Sequence, residues 1–345
     1  MSPSPIAFAD VFAEIESASG IQPGTVEAVF AAILAGEWTP PKIAGFLAAL
    51  RLRGETPAQI AAAARALRRA MVPVDHGLEL TLDTCGTGGD GRGTVNLSTG
   101  AAIVAAACGV PVAKHGNRAV SSRSGSADVL EALGIPLDVP PSAAAGLLRQ
   151  EGIAFLLAPA HHPAMRFATP VRRELGIRTV FNILGPLANP AAATHQLLGT
   201  YDDRLRPVLA ETLRELGSQR AWVVRGADGL DEISPYGPTR VTELDRQVIR
   251  ELEISPADFG LKPSPTGAAD GDDPATNADA IRQVLAGEDH PARTGFVLNA
   301  AAALVVAKSI PPSDATQLVE AAIASGSAQR KLSAWRAAAQ AARVG

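Results

Sequence analysis

The stretch DTCGTGGDGRGTVNLSTG, residues 83–100, sets six glycines in eighteen positions between an apolar strand candidate and an apolar helix candidate. A chain that turns so tightly from strand to helix gathers backbone N–H groups at a helix N-terminus, where an anion is favoured. Gly86, Gly88 and Gly91 fit the G-x-G-x-x-G pattern of a dinucleotide loop. That loop needs an acidic residue about 20 positions on for the ribose. Lys114, His115 and Arg118 stand there instead, and no Gly-Lys-Ser/Thr follows to make a P-loop. Alone, the pattern fits a structural tight turn as well as a phosphate site.

The surroundings narrow the fold. Up to residue 72 the apolar spacing is helical throughout, as in AFADVFAEIESA and GTVEAVFAAIL. Thr56 and Pro57 supply an N-cap and first turn for TPAQIAAAARALRRAM. From Leu78 strand and helix patterns alternate: LELTLDTC, AAIVAAACG, PVAKHG, SADVLEALG, IAFLLAP, QLLGTY, a helix over Asp203–Gly217, then AWVVRG. NADAIRQVLAG, GFVLNAAAALVVA and DATQLVEAAIASG read as further helices, and the Gly/Asp/Pro-rich Pro263–Asp273 as an exposed loop. Such alternation predicts a mainly parallel sheet covered by helices. The expected architecture is a small helical domain plus a larger α/β domain.

Hydrophobic residues at 47% and charged residues at 19% allow a large core, and a net charge of -4 argues against a dedicated nucleic-acid binder. The longest apolar run, Ala101–Ala113, is too short for a bilayer, and Lys42 is the first cation, so no secretory leader is read. Cys85 and Cys108 lack metal-ligand spacing. A soluble, reducing, cytoplasmic setting is expected, with no membrane partner.

Several polar groups suit a polyphosphate. Asn96, Ser98 and Thr99 open a helix after the glycine loop, as caps or as anion ligands. KHGNRAVSSRSGS brings Lys114, Asn117, Arg118, Ser121, Ser122 and Ser126 into thirteen positions. Asp90 inside a phosphate loop makes sense only against sugar hydroxyls or a metal shell. Asp231 and Glu232 are either exposed turn residues or oxygen ligands for Mg²⁺. His162 reads as polar pocket lining. Arg172 and Arg173 lie about 100° apart on a helix, so that one faces a cavity and the other solvent.

Together GTGGDGRGTVNLSTG, VAKHGNRAVSSRSGSADVLEALG, HPAM, VRRELGIRTVFNILGPLANP, DGLDEIS and VLNAAAAL resemble the anthranilate phosphoribosyltransferase family, in order and over nearly the whole chain. The resemblance implies a nucleoside-phosphorylase-type fold and a homodimer formed through the helical domain. That domain would comprise residues 1–75 with about 172–192, and the donor-binding α/β domain 76–171 and 193–345. It implies transfer of a phosphoribosyl group from phosphoribosyl pyrophosphate (PRPP) to the amine of anthranilate, with Mg²⁺, two ions in all. Donor contacts would be Gly86, Gly89, Asp90, Thr94, Asn96, Leu97, Ser98 and Thr99 in the first loop. In the second they would be Lys114, His115, Gly116, Asn117, Arg118, Ala119, Val120, Ser121, Ser122 and Ser126. Ser98, Asp231 and Glu232 would hold the metal, while Gly86, Asn117, His162 and Arg172 would receive anthranilate, Arg172 taking its carboxylate. No residue is implied as a strong general base; Lys114, Asn117 and Arg172 act by charge and position. His161 stands where the family usually has an aromatic residue, which leaves the acceptor channel open to variation. The alternatives are a paralogue for another aromatic acid and a non-catalytic, nucleic-acid-binding relative.

Overall fold

The computed structural model describes residues 6–119 and 123–343. Val120, Ser121 and Ser122 of the second loop lie outside the described residues.

Four helices come first: Phe8–Glu16, Pro23–Leu34, Pro40–Arg53 and Pro57–Arg69. The fourth begins with Thr56 accepting the Gln59 N–H while the Gln59 side chain accepts the Thr56 N–H, a reciprocal cap that satisfies two orphan donors. Seven strands follow: β1 Leu82–Gly86, β2 Val112–Gly116, β3 Ile153–Leu157, β4 His195–Gly199, β5 Arg220–Gly226, β6 Thr239–Asp245 and β7 Val248–Ile254. They form one sheet in the order β3-β2-β1-β4-β5-β6-β7. Pairings from β3 to β5 are parallel, as the alternation predicts, and β5-β6 and β6-β7 are antiparallel.

Successive strand residues point to opposite faces, and here each face has its own core. Leu197, Trp222 and Val224 join helices Leu97–Ala107 and Arg293–Lys308 on one side. Leu198, Ala221 and Val223 join helix Leu205–Glu215 and the four N-terminal helices on the other. Val171, Phe181, Ile183, Leu184 and Leu187 pack into that second core. The helical bundle is therefore continuous with one face of the sheet. No single helix among the described residues is long and apolar enough to cross a membrane.

The structure differs from the sequence expectations in three places. The β6-β7 hairpin was not expected, and the strand read from Leu78 begins at Leu82. Residues 263–273 are not simply an exposed loop. Thr94 bridges to Asp270, Val95 N–H donates to Ala269 O at 2.9 Å, Gly271 N–H donates to Gly93 O at 2.7 Å, and Ala269 is fully buried. The loop looked free because glycine, proline and aspartate disfavour regular strands; a single bridge needs no such run.

From β1 the chain proceeds to β2 and β3 on one side; from β4 it proceeds to β5 on the other. The β1/β4 boundary is a topological switch point, and a crevice outside the strands' carboxyl ends is the expected consequence.

Candidate active site

Gly86, Gly116 and Gly199 end β1, β2 and β4 at that crevice, with Gly86 and Gly199 opposite each other in register. Asp231 explains two of them. A β-carbon on Gly199 would fall on the Asp231 carbonyl, and one on Gly86 would lie 2.9 Å from its Oδ2. The acidic segment is thus laid across the strand ends.

Glycine loop and acidic segment hold each other. Asp231 Oδ2 accepts the Gly88 N–H at 3.0 Å, and Asp90 Oδ2 accepts the Asp231 N–H at 3.3 Å. Burial, then the neighbouring Asp90 charge, pushes the Asp231 carboxyl up to about 7. Burial, then Asp231, holds Glu232 well above the usual carboxylate range. Glu232 Oε1 accepts the Ser98 N–H at 3.0 Å, while Oε2 is buried without a hydrogen-bond partner among the described residues. Crowded carboxyls with an orphaned oxygen suit a hard cation. Among the described residues no group of three or more His, Cys, Asp or Glu side chains makes a ready metal cage, so such a cation would also need oxygens from a bound molecule.

Lys114 enters from β2. It is 2% exposed, and its Nζ donates to Thr84 O at 2.6 Å and Ser98 Oγ at 3.4 Å. Burial lowers its pKa, opposed by the charge of buried Asp83. Asp83 accepts the His115 N–H at 3.2 Å and an Asn189 N–H at 2.8 Å.

One cavity of about 940 Å³ lies among these elements. The predicted Gly86, Gly89, Asp90, Thr94, Asn96 and Ser98 line it, as do Lys114, His115, Gly116, Asn117, Arg118, Ala119, Ser126, His162, Arg172, Asp231 and Glu232. Leu97 and Thr99 do not reach it; their side chains are fully buried, because successive helix residues diverge by about 100°. Arg118 is committed to Asp128 at 3.0 Å and Glu131 at 2.9 Å. His115 and His162 sit with rings 5.1 Å apart, held by burial at about 3 and about 4, so both are neutral at pH 7. His161 turns away from the cavity and donates to Val72 O at 2.9 Å. Arg172 is half-buried, its guanidinium 5.3 Å from the Phe181 ring, and its side chain has no hydrogen bond or ion pair among the described residues. Arg173 is exposed, yet it also borders the cavity.

Residues 78–329 match a family model described as glycosyl transferase family, a/b domain, and residues 22–71 match its helical bundle domain. An anthranilate phosphoribosyltransferase of Moorella thermoacetica is 51% identical over 303 residues, 88% of this chain and 89% of that protein. The chain belongs to the anthranilate phosphoribosyltransferase family. The anthranilate phosphoribosyltransferase of Thermus thermophilus has a solved structure with TM-score 0.88 and 44% identity, covering 93% of this chain and 96% of that one. The Saccharomyces cerevisiae anthranilate phosphoribosyltransferase, solved in complex with PRPP and Mg, gives TM-score 0.89 at 30% identity, covering 97% and 98%.

Within this anthranilate phosphoribosyltransferase framework, Arg178 and Tyr201 are among the cavity residues that the sequence does not single out. Arg178 Nη2 donates to Gly89 O at 2.7 Å, and its guanidinium lies 3.7 Å from the centre of the Tyr201 ring. Tyr201 N–H in turn donates to Thr87 Oγ1 at 3.1 Å. The segment carrying Arg172 is thereby fastened to the glycine loop. Only the Arg after Gly176-Ile177 hinted at this, and one cation in a turn is a weak signal.

Proposed function

We infer that this chain transfers the phosphoribosyl group of PRPP to the amine of anthranilate, releasing pyrophosphate. One observation carries the assignment of parts. The Arg172 guanidinium, without a hydrogen-bond or ion-pair partner among the described residues, opens into the same cavity as Lys114, the glycine loop and the Asp231–Glu232 pair. A carboxylate receiver thus shares one space with a polyphosphate and cation site.

PRPP lies along the two loops, its pyrophosphate toward Lys114 and the N-terminus of helix Leu97–Ala107. Asp231, Glu232 and the Ser98 hydroxyl would hold Mg²⁺, two ions in all. Bound there, the metal would offset negative charge on the pyrophosphate. As the ribose carbon parts from pyrophosphate, Lys114 and the backbone N–H groups meet the negative charge that accumulates on the leaving group. Arg172 takes the anthranilate carboxylate, and Asn117, His162 and Gly86 flank the ring, so the amine is held in line with the ribose carbon. An arylamine is nucleophilic as its free base, so no strong general base is demanded. Removing one such electrostatic group costs roughly 3 kcal/mol, about a few hundredfold in rate.

The proposed division is residues 1–75 with about 172–192, and the α/β remainder; Val180, Phe181, Ile183, Leu184 and Leu187 pack with the N-terminal helices, in a core that also reaches one face of the sheet. The enzyme is a homodimer through the helical part, where the exposed Phe12 and Leu52 side chains supply apolar surface.

Anthranilate fluorescence tests the function. Its loss, matched by pyrophosphate release, is expected only when protein, PRPP and Mg²⁺ are all present. Pyrophosphate release with undiminished fluorescence would overturn the acceptor assignment.

A further inference from the structure

One sequence motif has no part in the chemistry above. VLNAAAAL lies in helix Arg293–Lys308, where every residue from Gly295 to Ala307 is buried and Asn299 alone has a polar side chain. A buried amide in such a stretch is costly unless its hydrogen bonds are made.

They are made, chiefly to one residue outside the helix. Asn299 Oδ1 accepts the Ile233 N–H at 3.1 Å, and its Nδ2 donates to Ile233 O at 3.0 Å. The second Nδ2 hydrogen goes to Gly295 O at 2.9 Å, on its own helix. Both donors of the amide are therefore used. Gripping both the N–H and the C=O of a single residue is what a paired strand does, here supplied by a side chain. Ile233 directly follows Glu232, and its N–H belongs to the Glu232–Ile233 peptide plane. The next residue is tied separately, Ser234 N–H donating to Thr239 Oγ1 at 2.9 Å. On the other side, Asp231 rests on the strand ends at Gly86 and Gly199.

We propose that Asn299 is a positioning residue for the Asp231–Glu232 pair, its clamp on Ile233 fixing the direction in which both carboxyl groups face the cavity. The inference rests on the Mg²⁺ role given to that pair above. Outer partners that orient metal-binding side chains typically govern affinity 10–100-fold without touching the metal.

The test compares Asn299→Ala with Leu304→Ala, which makes a void in the same buried helix. Three quantities are measured: melting temperature, the Mg²⁺ concentration giving half-maximal turnover, and Mn²⁺ binding in the presence of PRPP, followed through the paramagnetic resonance signal of free Mn²⁺. Both variants should melt lower than wild type. Only Asn299→Ala should weaken Mn²⁺ binding and raise the Mg²⁺ requirement, by about tenfold or more. Wild-type Mn²⁺ affinity in Asn299→Ala would overturn the proposal, as would an equal loss in both variants. If the alanine variant fails to fold, Asn299→Ser is used; its hydroxyl is too short to grip Ile233 at both atoms, so the same weakening is expected, and unchanged Mn²⁺ binding would refute it. A wild type whose turnover ignores Mg²⁺ would remove the metal reading itself, before any variant is made.

Discussion

His115, His162 and His195 are buried and held neutral, burial pushing them down to about 3, about 4 and about 4. At the cavity this removes two positive charges that would otherwise compete with Lys114 and Arg172 for anionic groups. His195 lies at the start of β4, away from the cavity lining, so it reports on stability alone. Its folded pKa lies below the ordinary value of 6.5, so the unfolded chain binds more protons between about pH 4 and 6.5. The stability it contributes is present above that window and is lost as pH falls through it. Urea unfolding of wild type and His195→Gln across this range should therefore show their difference moving in favour of wild type as pH rises, by about 1–3 kcal/mol. A difference independent of pH would show that His195 is not held neutral by burial.

Among the elements, helix Leu97–Ala107 shows how packing sets chemistry. A β-carbon on Gly100 would enter the Phe296 ring, so glycine lets helix Arg293–Lys308 approach closely. The same helix presents Asn96 and Ser98 to the cavity from its N-terminus. Gly100→Ala should lower stability by about 1–3 kcal/mol, seen in thermal melts, and raise the KM for PRPP more than that for anthranilate. An unchanged melting temperature would contradict the packing. Most elements were legible because their apolar period is unambiguous, from the Thr56 cap to the strand at Ile153. The β6-β7 hairpin was not. Its two-residue turn is Arg246-Gln247, with Arg246 at φ 57°, where Asn-Gly or a leading Gly is the usual signal. Residues 263–273 failed in the opposite way: a composition typical of free loops hides the bridge from Asp270 to Thr94.

At the scale of the whole molecule, a single sheet separates two cores, and the cavity opens where its strand order reverses. The two loops that line the cavity were legible because their chemistry is local: glycines, hydroxyls and cations packed into short stretches. Glu232 meeting Ser98, Arg178 meeting Gly89 and Asn299 meeting Ile233 were not, since each joins residues 66 to 134 positions apart. Only the topology brings such pairs together. The central claim is a division of labour within one cavity, with the donor on the α/β loops and the acceptor carboxylate on Arg172. Steady-state kinetics of Arg172→Ala, varying each substrate in turn, test it most directly. The KM for anthranilate should rise at least about tenfold, the value of one lost charge-assisted hydrogen bond, while the KM for PRPP stays within about twofold. Equal rises for both substrates, or a rise for PRPP alone, would contradict the account.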